Sequence, residues 1–309
     1  MNFEHPLVFR PWLRPMPWGG EKLATLYPHV SASSTVGEAW LLSHHSLHDS
    51  LLENTRNPGI TLGEVLKQYP KALLGTSTVH DFPLLIKVLH ARENLSVQVH
   101  PSDDQAVRWA PRERGKSEAW TILDTTEEGS LYLGLNSTIS LKQWREEYGL
   151  FDIPETLHRI HPKPGETYAI PPGTIHALGS GVMVLEVQQS SDATFRLFDW
   201  DRGRELHVEA GLACLAEHPM AGLQTPVRLS DGSELLVETP FFSMKRWQYA
   251  KSATLPAPCI AVIWNGTAKA EGWTLPAGYA CLVPACINNA AIEIPNGTIV
   301  FVVEWKMQD

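Results

Sequence analysis

Cysteine, basic charge and long apolar runs are all scarce in this sequence of 309 residues. The four cysteines show no CxxC spacing, which argues against a thiolate metal site and against a disulfide framework. We therefore expect reduced thiols that pack the interior of a cytoplasmic protein. The four are Cys214, Cys259, Cys281 and Cys286.

The shortage of positive charge argues against two classes of partner. The net charge is −9, so we expect no general basic face for a nucleic acid or an anionic membrane. No segment approaches the ~18 consecutive apolar residues of a membrane span. Residues 1–15 contain acid and proline where a signal peptide would have a basic end and an apolar run. An anionic small molecule stays compatible with this composition if a few local cations hold it.

Proline and glycine are plentiful, at 23 and 22 residues, and they separate short runs rich in β-branched and aliphatic side chains. Runs such as 181–189, 260–264 and 298–305 are typical of strands in a β-sandwich or barrel. Helix signals are few, and all of them precede residue 150. They predict helices at 61–69, before Pro70, at 103–109, before Pro111, and at 140–148, with Ser140 as N-cap and Gly149 as stop.

A weak internal repeat divides the chain. Gly165, Pro171 and His176 have counterparts at equal spacing in Gly278, Pro284 and Asn289. The second copy keeps the frame without the histidine, and no histidine follows His218. We therefore expect a catalytic domain at 1–225 and a degenerate domain at 226–309 that has no His-bearing metal site. The alternative is chance, because glycine and proline often recur at this spacing in β-proteins.

Candidate metal ligands first occur in the segment 94–101. Leu95, Val97 and Val99 alternate with Ser96, Gln98 and His100, so period two places the three polar residues on one strand face. Such a face carries side chains that bind metals. The same pattern is also typical of a half-exposed edge strand whose polar face meets water.

Two further segments add a carboxylate and a histidine. Lys116 and Glu118 share a strand face, which suits a metal ligand beside a charged substrate group, although a surface ion pair is the common alternative. The segment 165–176 has the more specific pattern Gly-x5-Pro-x-Gly-x2-His. Its turn reverses the chain, and the strand that follows is expected to carry His176 inward as a ligand.

The fourth segment, 184–202, places Glu186 and Gln188 on one strand face, followed by Arg196 between two apolar residues. A buried guanidinium requires an anionic partner, which here is either a protein carboxylate such as Asp192 or Asp199, or charge that develops on a substrate. Together, the glutamine, the glutamate and the two histidines offer two nitrogens and two oxygens. Such a set suits zinc, with manganese, cobalt or iron as substitutes.

These segments together resemble the type I mannose-6-phosphate isomerases (phosphomannose isomerases) in their compact bacterial form. The matching stretches are LSVQVHPSD, GKSEAW, PPGTIHALGSG and LEVQQSSDATFRLFDWDR, and the opening stretches PWGG at 17–20 and GEAWLLSHH at 37–45 also match. The resemblance extends from Pro17 to His207. It implies a cupin fold, and with the repeat it predicts a mainly β chain of two cupin-type jelly-roll barrels, with a few helices packed on the N-terminal one.

The resemblance also implies roles for individual residues. One zinc per chain would be held by Gln98, His100, Glu118 and His176. Catalytic roles would fall to Arg196, Lys116 and Glu186, and substrate binding to Ser96, Lys87 and Arg202. Many longer members have lysine where Arg202 stands, and they insert a helical domain for which this chain has no room. Not all phosphate contacts of the family are therefore expected here.

The implied reaction interconverts mannose 6-phosphate and fructose 6-phosphate through a cis-enediol. Arg196 is our choice for stabilising the enediolate, while the base is either Glu186 or a water on the metal. Three alternatives stay open: a different aldose–ketose pair, a sugar-phosphate sensor without catalysis, and an iron-dependent cupin oxygenase, against which Gln98 argues. Monomer and homodimer are equally compatible with the sequence.

Overall fold

The computed structural model describes residues 3–28, 35–53, 59–77, 81–217, 219–248, 252–270, 273–288 and 290–306. Asn289, the last member of the second repeat frame, lies outside these ranges. Within them, no helix has the length and apolar character needed to cross a membrane. The described chain is mainly β, with few and short helices, as the sequence predicts.

The strands up to residue 200 are β1 (Leu7–Val8), β2 (Trp12–Gly20), β3 (Val36–Leu42), β4 (His44–His45), β5 (His48–Asp49), β6 (Leu84–Ala91), β7 (Val97–Val99), β8 (Glu118–Thr125), β9 (Leu131–Leu135), β10 (Leu157–Ile160), β11 (Thr167–Ile170), β12 (His176–Leu178), β13 (Val182–Gln189) and β14 (Phe195–Phe198). The later strands are β15 (Gly222–Gln224), β16 (Val227–Arg228), β17 (Glu234–Glu238), β18 (Phe242–Trp247), β19 (Ser252–Leu255), β20 (Cys259–Trp264), β21 (Thr267–Ala270), β22 (Trp273–Pro276), β23 (Ala280–Val283), β24 (Ala290–Glu293) and β25 (Ile299–Trp305).

The helices are α1 (Lys22–Leu26), α2 (Leu62–Gln68), α3 (Pro70–Leu74), α4 (Asp103–Trp109), α5 (Leu141–Glu146) and α6 (Val208–Cys214), with a 3-10 turn at Pro154–Thr156. The three predicted helices are confirmed as α2, α4 and α5. Their N-caps Thr61, Ser102 and Ser140 each accept a hydrogen bond from the backbone N–H three residues on. Pro70 ends α2 and also begins α3, because proline fits the first helical turn. The sequence patterns did not reveal α1, α3 or α6.

Four large antiparallel sheets stack as two sandwiches. In the N-terminal sandwich, a seven-stranded sheet (β15-β11-β8-β13-β6-β3-β2) faces a five-stranded sheet (β10-β9-β12-β7-β14) across an apolar cluster that includes Trp120 and Tyr168. In the C-terminal sandwich, a seven-stranded sheet (β1-β23-β20-β25-β18-β17-β16) faces a four-stranded sheet (β19-β24-β21-β22). The two seven-stranded sheets pack against each other through the largest buried cluster. None of these sheets closes into a barrel in the described residues.

The repeat frame occupies the same place in both sandwiches. Gly165 and Gly278, both with positive φ, each stand two residues before a strand of a seven-stranded sheet. Pro171 and Pro284 each follow that strand directly, and the next strand, β12 or β24, lies in the smaller facing sheet. Strand pairing also changes near residue 225, since β15 joins the N-terminal sandwich and β16 the C-terminal one. One exception is β1, which pairs with β23.

The cysteines agree in part with the expectation from their spacing. All four are free thiols, and Cys214, Cys259 and Cys281 are buried. Cys286 is exposed, so it is not a packing residue. Burial raises the pKa of Cys214 to about 11, which keeps this thiol protonated and inert near neutral pH.

Candidate metal centre and its cavity

Both sheets of the N-terminal sandwich contribute a row of polar residues to its interior. Along the five-stranded sheet, Gln98 on β7 lies opposite His176 on β12 and opposite Arg196 on β14. Along the seven-stranded sheet, Glu186 on β13 lies opposite Lys87 on β6 and opposite Trp120 on β8. Directly opposed residues in antiparallel strands have Cα atoms about 4.5–5.5 Å apart, so each row is a set of side-by-side neighbours.

His100, Glu118 and His176 form the centre of the site. Each offers one ligand atom, and these atoms lie within 4.8 Å of one another. His100 Nε2 is 3.4 Å from Glu118 Oε2, and His176 Nε2 is 3.3 Å from Glu118 Oε1. The structure therefore brings together three of the four predicted ligands around a common point. All three side chains are buried.

Backbone carbonyls fix the orientation of both imidazoles. His100 Nδ1 donates to the carbonyl oxygen of Ala193 at 2.8 Å, and His176 Nδ1 donates to that of Thr174 at 2.9 Å. The proton therefore sits on Nδ1, and the lone pair of each Nε2 points to the centre. Metal-binding histidines typically have a second-nitrogen contact of this kind.

Gln98 completes the set from the neighbouring strand. Its amide nitrogen is 3.3 Å from His176 Nε2, and its Oε1 accepts from Ser96 Oγ at 3.3 Å. The two ends of an amide are assigned from their contacts, and a half-turn of the group would present the oxygen to the centre instead. Ser96, Gln98 and His100 are all at most 9% exposed, which excludes the half-exposed edge strand.

The burial and the contacts of the Glu118 carboxylate indicate that these residues could hold a metal ion. The carboxylate is fully buried, and in the described part of the chain neither oxygen has a hydrogen-bond partner. Lys116 Nζ makes an ion pair with it at 3.0 Å and lies 3.2 Å from His100 Nε2. Because Lys116 is only 4% exposed, the pair is not a surface ion pair. A buried carboxylate without hydrogen bonds, faced by two imidazole lone pairs, fits a divalent cation.

The protonation states agree with metal binding. Burial, followed by the positive charge of Lys116, lowers the pKa of His100 to about 3, so the ring is neutral at neutral pH. Burial alone would raise the pKa of Glu118, but the positive charge of Lys116 outweighs burial and holds the pKa well below the ordinary value. Neutral imidazoles and an ionised carboxylate are the forms that bind metals.

A cavity of about 210 Å³ opens beside this centre. Gln98, Ser96 and Lys116 line the end near the ligands. Lys87 and Glu186 line one wall, where Lys87 Nζ is 3.2 Å from Glu186 Oε2. Glu186 Oε1 accepts from Trp120 Nε1 at 2.9 Å. Burial opposes the charge on Lys87, but Glu186 and Glu38 outweigh it and raise the pKa of the ammonium group.

Three arginines converge on one buried carboxylate at the opposite wall. Arg204 Nε is 2.8 Å from Asp199 Oδ2, Arg202 Nη2 is 3.1 Å from Asp199 Oδ1, and Arg196 Nε is 3.9 Å from the same oxygen. Of the two partners predicted for Arg196, Asp199 is thus the one in contact, whereas the carboxylate of Asp192 lies 3.7 Å from Arg14. Arg196 and Arg204 line the cavity, whereas Arg202 is not among its lining residues.

Sequence patterns did not single out several residues of the cavity. Two of them are Arg14 and Glu38, which lie 3.5 Å apart and both line the cavity, and Arg14 also lies 3.7 Å from Asp192. Arg204 is a third. Arg14 and Glu38 belong to the paired strands β2 and β3, where isolated charges look like solvent-facing residues. The one available signal was the stretch GEAW, which contains Glu38 and lies within the family resemblance.

The fold and the site define a two-sandwich β-protein with a buried His/Glu/His centre beside a charged cavity. Residues 12–119 match the family model for the phosphomannose isomerase type I catalytic domain. The chain is 36% identical over 261 residues to the mannose-6-phosphate isomerase ManA of Bacillus subtilis (strain 168), covering 81% of each chain. It is 35% identical over 300 residues to the mannose-6-phosphate isomerase of Streptococcus mutans, covering 92% of this chain and 94% of the relative.

The solved structures agree with the sequence relatives. The crystal structure of the mannose 6-phosphate isomerase from Bacillus subtilis superposes with a TM-score of 0.87 at 29% identity, covering 97% of this chain and 100% of that one. The chain belongs to the type I phosphomannose isomerase family. Family membership and the His/Glu/His cluster together agree with a metal-dependent enzyme.

Proposed function

We propose that this protein is a mannose-6-phosphate isomerase, which interconverts mannose 6-phosphate and fructose 6-phosphate through a cis-enediol. The observation that carries the proposal is the buried carboxylate Glu118 between two oriented imidazoles, beside a cavity lined with arginine and lysine. An aldose–ketose isomerase requires an electrophile at the sugar oxygens, a base at the carbon and a cationic site for the phosphate. Family membership selects this reaction among those that such a cavity supports.

Zinc is our choice of metal, one ion per chain. Gln98, His100, Glu118 and His176 would hold it, a mixed nitrogen and oxygen set that suits zinc and also accepts other divalent metals. When bound there, the ion would supply Lewis-acid polarisation of the sugar oxygens at C1 and C2. Lys116 would stay beside these ligands, where its ammonium group holds a proton close to the same oxygens.

Glu186 is our candidate for the group that moves the proton between C2 and C1. Its Oε1 is occupied by Trp120, and its Oε2 faces Lys87 without a hydrogen-bond partner in the described residues. Oε2 is therefore the oxygen of Glu186 that would accept a proton from carbon. Arg196, the cross-strand neighbour of Gln98, would stabilise the negative charge of the enediolate.

The phosphate group of the substrate would bind beside Arg196 and Arg204, which line the cavity. Arg196, Arg202 and Arg204 share the single carboxylate of Asp199, so this group of four carries two surplus positive charges. Lys87, by contrast, is matched by Glu186 and Glu38, which makes it a weaker candidate for the phosphate than we expected from the sequence. We place Ser96 near the sugar hydroxyls, and Arg202 behind Arg204, where it adds charge through Asp199.

We also infer that the two sandwiches are two cupin-type jelly rolls, with a catalytic domain at 1–225, on which the helices pack, and a degenerate domain at 226–309. The matching repeat frames and the change of strand pairing near residue 225 support this division. We further propose a cytoplasmic location, which the four free cysteines support, and a monomeric or homodimeric state.

A coupled assay tests the proposed reaction. The purified chain should convert mannose 6-phosphate to fructose 6-phosphate faster than it converts other aldose phosphates. Preference for another aldose phosphate would show a different isomerase with the same site. Binding of the sugar phosphate without turnover would identify a sensor, and oxygen uptake by the iron-loaded chain would identify an oxygenase. Any of these three results would contradict the proposal.

A further inference from the structure

The segment 190–193 lies in the connection between β13 and β14 and contacts the site at two points. The carbonyl oxygen of Ala193 accepts the Nδ1 proton of His100 at 2.8 Å. The side chain of Asp192 lines the cavity, with Oδ2 3.7 Å from Arg14 Nη1. A shift of this segment would therefore turn the His100 ring and move a charged wall of the cavity at the same time.

Residues 113 and 114, which are not among the residues lining the cavity, contact this segment at two points. Glu113 Oε2 accepts the backbone N–H of Asp192 at 3.0 Å. The carbonyl oxygen of Arg114 accepts Ser191 Oγ at 2.8 Å. Because Arg114 acts through its backbone, Glu113 is the side chain of this pair that a substitution can remove.

His45 orients the carboxylate of Glu113. Leu47 N–H donates to His45 Nδ1 at 3.2 Å, which places the ring proton on Nε2. That nitrogen then donates to Glu113, with its two oxygens at 3.3 and 3.2 Å. The His45 side chain is only 7% exposed and its ring lies edge-on to Trp40, so the donor is fixed in place.

We propose that Glu113, oriented by His45, is a positioning residue for the metal centre. Through the backbone of Asp192 it fixes the segment 190–193, and so it sets both the direction of His100 Nε2 and the place of Asp192 in the cavity. The inference rests on the proposed function for its kinetic readout, but its effect on metal affinity is independent of the substrate. Removing the direct outer partner of a metal ligand typically lowers affinity or activity by ~10–100-fold, and because Glu113 acts one contact further out, we expect an effect at the lower end of that range.

The test compares Glu113→Ala with Asp49→Ala as matched control. Asp49 is also a carboxylate paired with a histidine, His44 Nδ1 at 3.2 Å, and its side chain is 28% exposed against 23% for Glu113. His44 contacts the segment 190–193 through its main-chain oxygen, which accepts from Ser190 Oγ and stays in place in the control. Zinc affinity is measured by competition with a chromophoric chelator, and kcat and KM by the coupled assay.

Glu113→Ala should bind zinc about 10-fold more weakly and lower kcat/KM by about the same factor, while Asp49→Ala keeps both values. Glu113→Gln should recover most of the zinc affinity, because its amide oxygen still accepts the Asp192 N–H. His45→Ala should add little to Glu113→Ala in the double variant, since both act through one contact. Wild-type zinc affinity in Glu113→Ala, or equal losses in Asp49→Ala, would overturn the inference. If the wild-type chain has no isomerase activity, the proposed function is contradicted. The zinc affinities of the variants would then still test the role of Glu113.

Discussion

The two sandwiches of this chain use their interiors in opposite ways. The N-terminal interior buries ionisable groups side by side, among them Lys87, His100, Glu118 and Glu186. The C-terminal interior is apolar, and the buried polar residues described after residue 225 are the uncharged Ser233, Thr239 and Thr298. Because buried charges are costly unless they are matched, the first interior indicates function and the second indicates stability.

The repeat frame makes the same contrast at the level of single residues. In the first copy, the strand after the turn begins at His176, which faces Glu118. In the second copy, the strand after the turn directs Ala290 and Ile292 into the apolar cluster. Gly173 shows how tight the first turn is, since its φ is +82° and an added Cβ would lie 2.6 Å from Ala216 Cβ. One backbone device thus delivers a candidate ligand in one sandwich and core packing in the other.

The largest effect is expected for substitution of His176, the last residue of the first repeat frame. His176→Ala should lose bound zinc and isomerase turnover together, because the centre loses an oriented nitrogen. Metal analysis and the coupled assay on one sample check this outcome. His161→Ala is the control, since His161 contacts Gly129 outside the candidate centre and should keep both properties. An active, metal-free His176→Ala would refute the site assignment.

The second largest effect is expected for substitution of Arg196, which separates stabilisation of the enediolate charge from metal binding. Arg196→Ala should keep its zinc and lower kcat and kcat/KM together by about 10²–10³-fold, as removal of a transition-state donor does. Arg246→Ala is the counterpart in the C-terminal sandwich, where the guanidinium contacts Glu234 and the Gly165 carbonyl. Its turnover should stay at the wild-type level. Unchanged kcat in Arg196→Ala would remove Arg196 from the mechanism.

The third prediction concerns the apolar interior. Ile292, which is 2% exposed, packs in the C-terminal cluster. Ile292→Ala should lower the free energy of unfolding by about 2–5 kcal/mol through the cavity that it leaves. The kcat of the folded variant should be unchanged. Urea unfolding and the coupled assay measure the two effects, and a loss of kcat without a loss of stability would contradict the division of roles.

The smallest effect is a pH-dependent difference in stability. Burial alone would raise the pKa of Asp199, but Arg204, Arg202 and Arg196 hold it below its ordinary value of 3.8. Its ionised form therefore stabilises the folded chain above that value, and the contribution is lost as pH falls through the folded pKa. Asp199→Asn should lower Tm at pH 7, and the difference from wild type should shrink as the pH falls below about 4. If the Tm difference between Asp199→Asn and wild type were the same at every pH, the ion pairs between Asp199 and the three arginines would be excluded as its cause.

Regular strands explain why much of the site was predictable. Period two places Ser96, Gln98 and His100 on one face, and the structure buries all three. The Gly-x5-Pro frame likewise placed His176 at the start of a strand. In both cases the backbone geometry is set by the local sequence, so spacing alone specifies the direction of the side chains.

Irregular backbone explains what spacing did not predict. Trp200, Asp201 and Gly203 all have positive φ, so no fixed period relates Arg196, Arg202 and Arg204, and which arginine lines the cavity depends on the turn. The contacts of Arg14 and Glu113 depend on strands and loops that are distant in the sequence. Two jelly-roll barrels were also predicted; in the described residues the sheets pack in two pairs, and none of them closes into a barrel.

The most direct test of the central claim is removal and return of the metal. The wild-type chain is treated with a chelator, dialysed and then titrated with zinc, while bound metal and turnover of mannose 6-phosphate are measured on the same samples. We predict that both fall together and return together, reaching a plateau at one zinc per chain. Undiminished turnover in the metal-free chain would contradict the account.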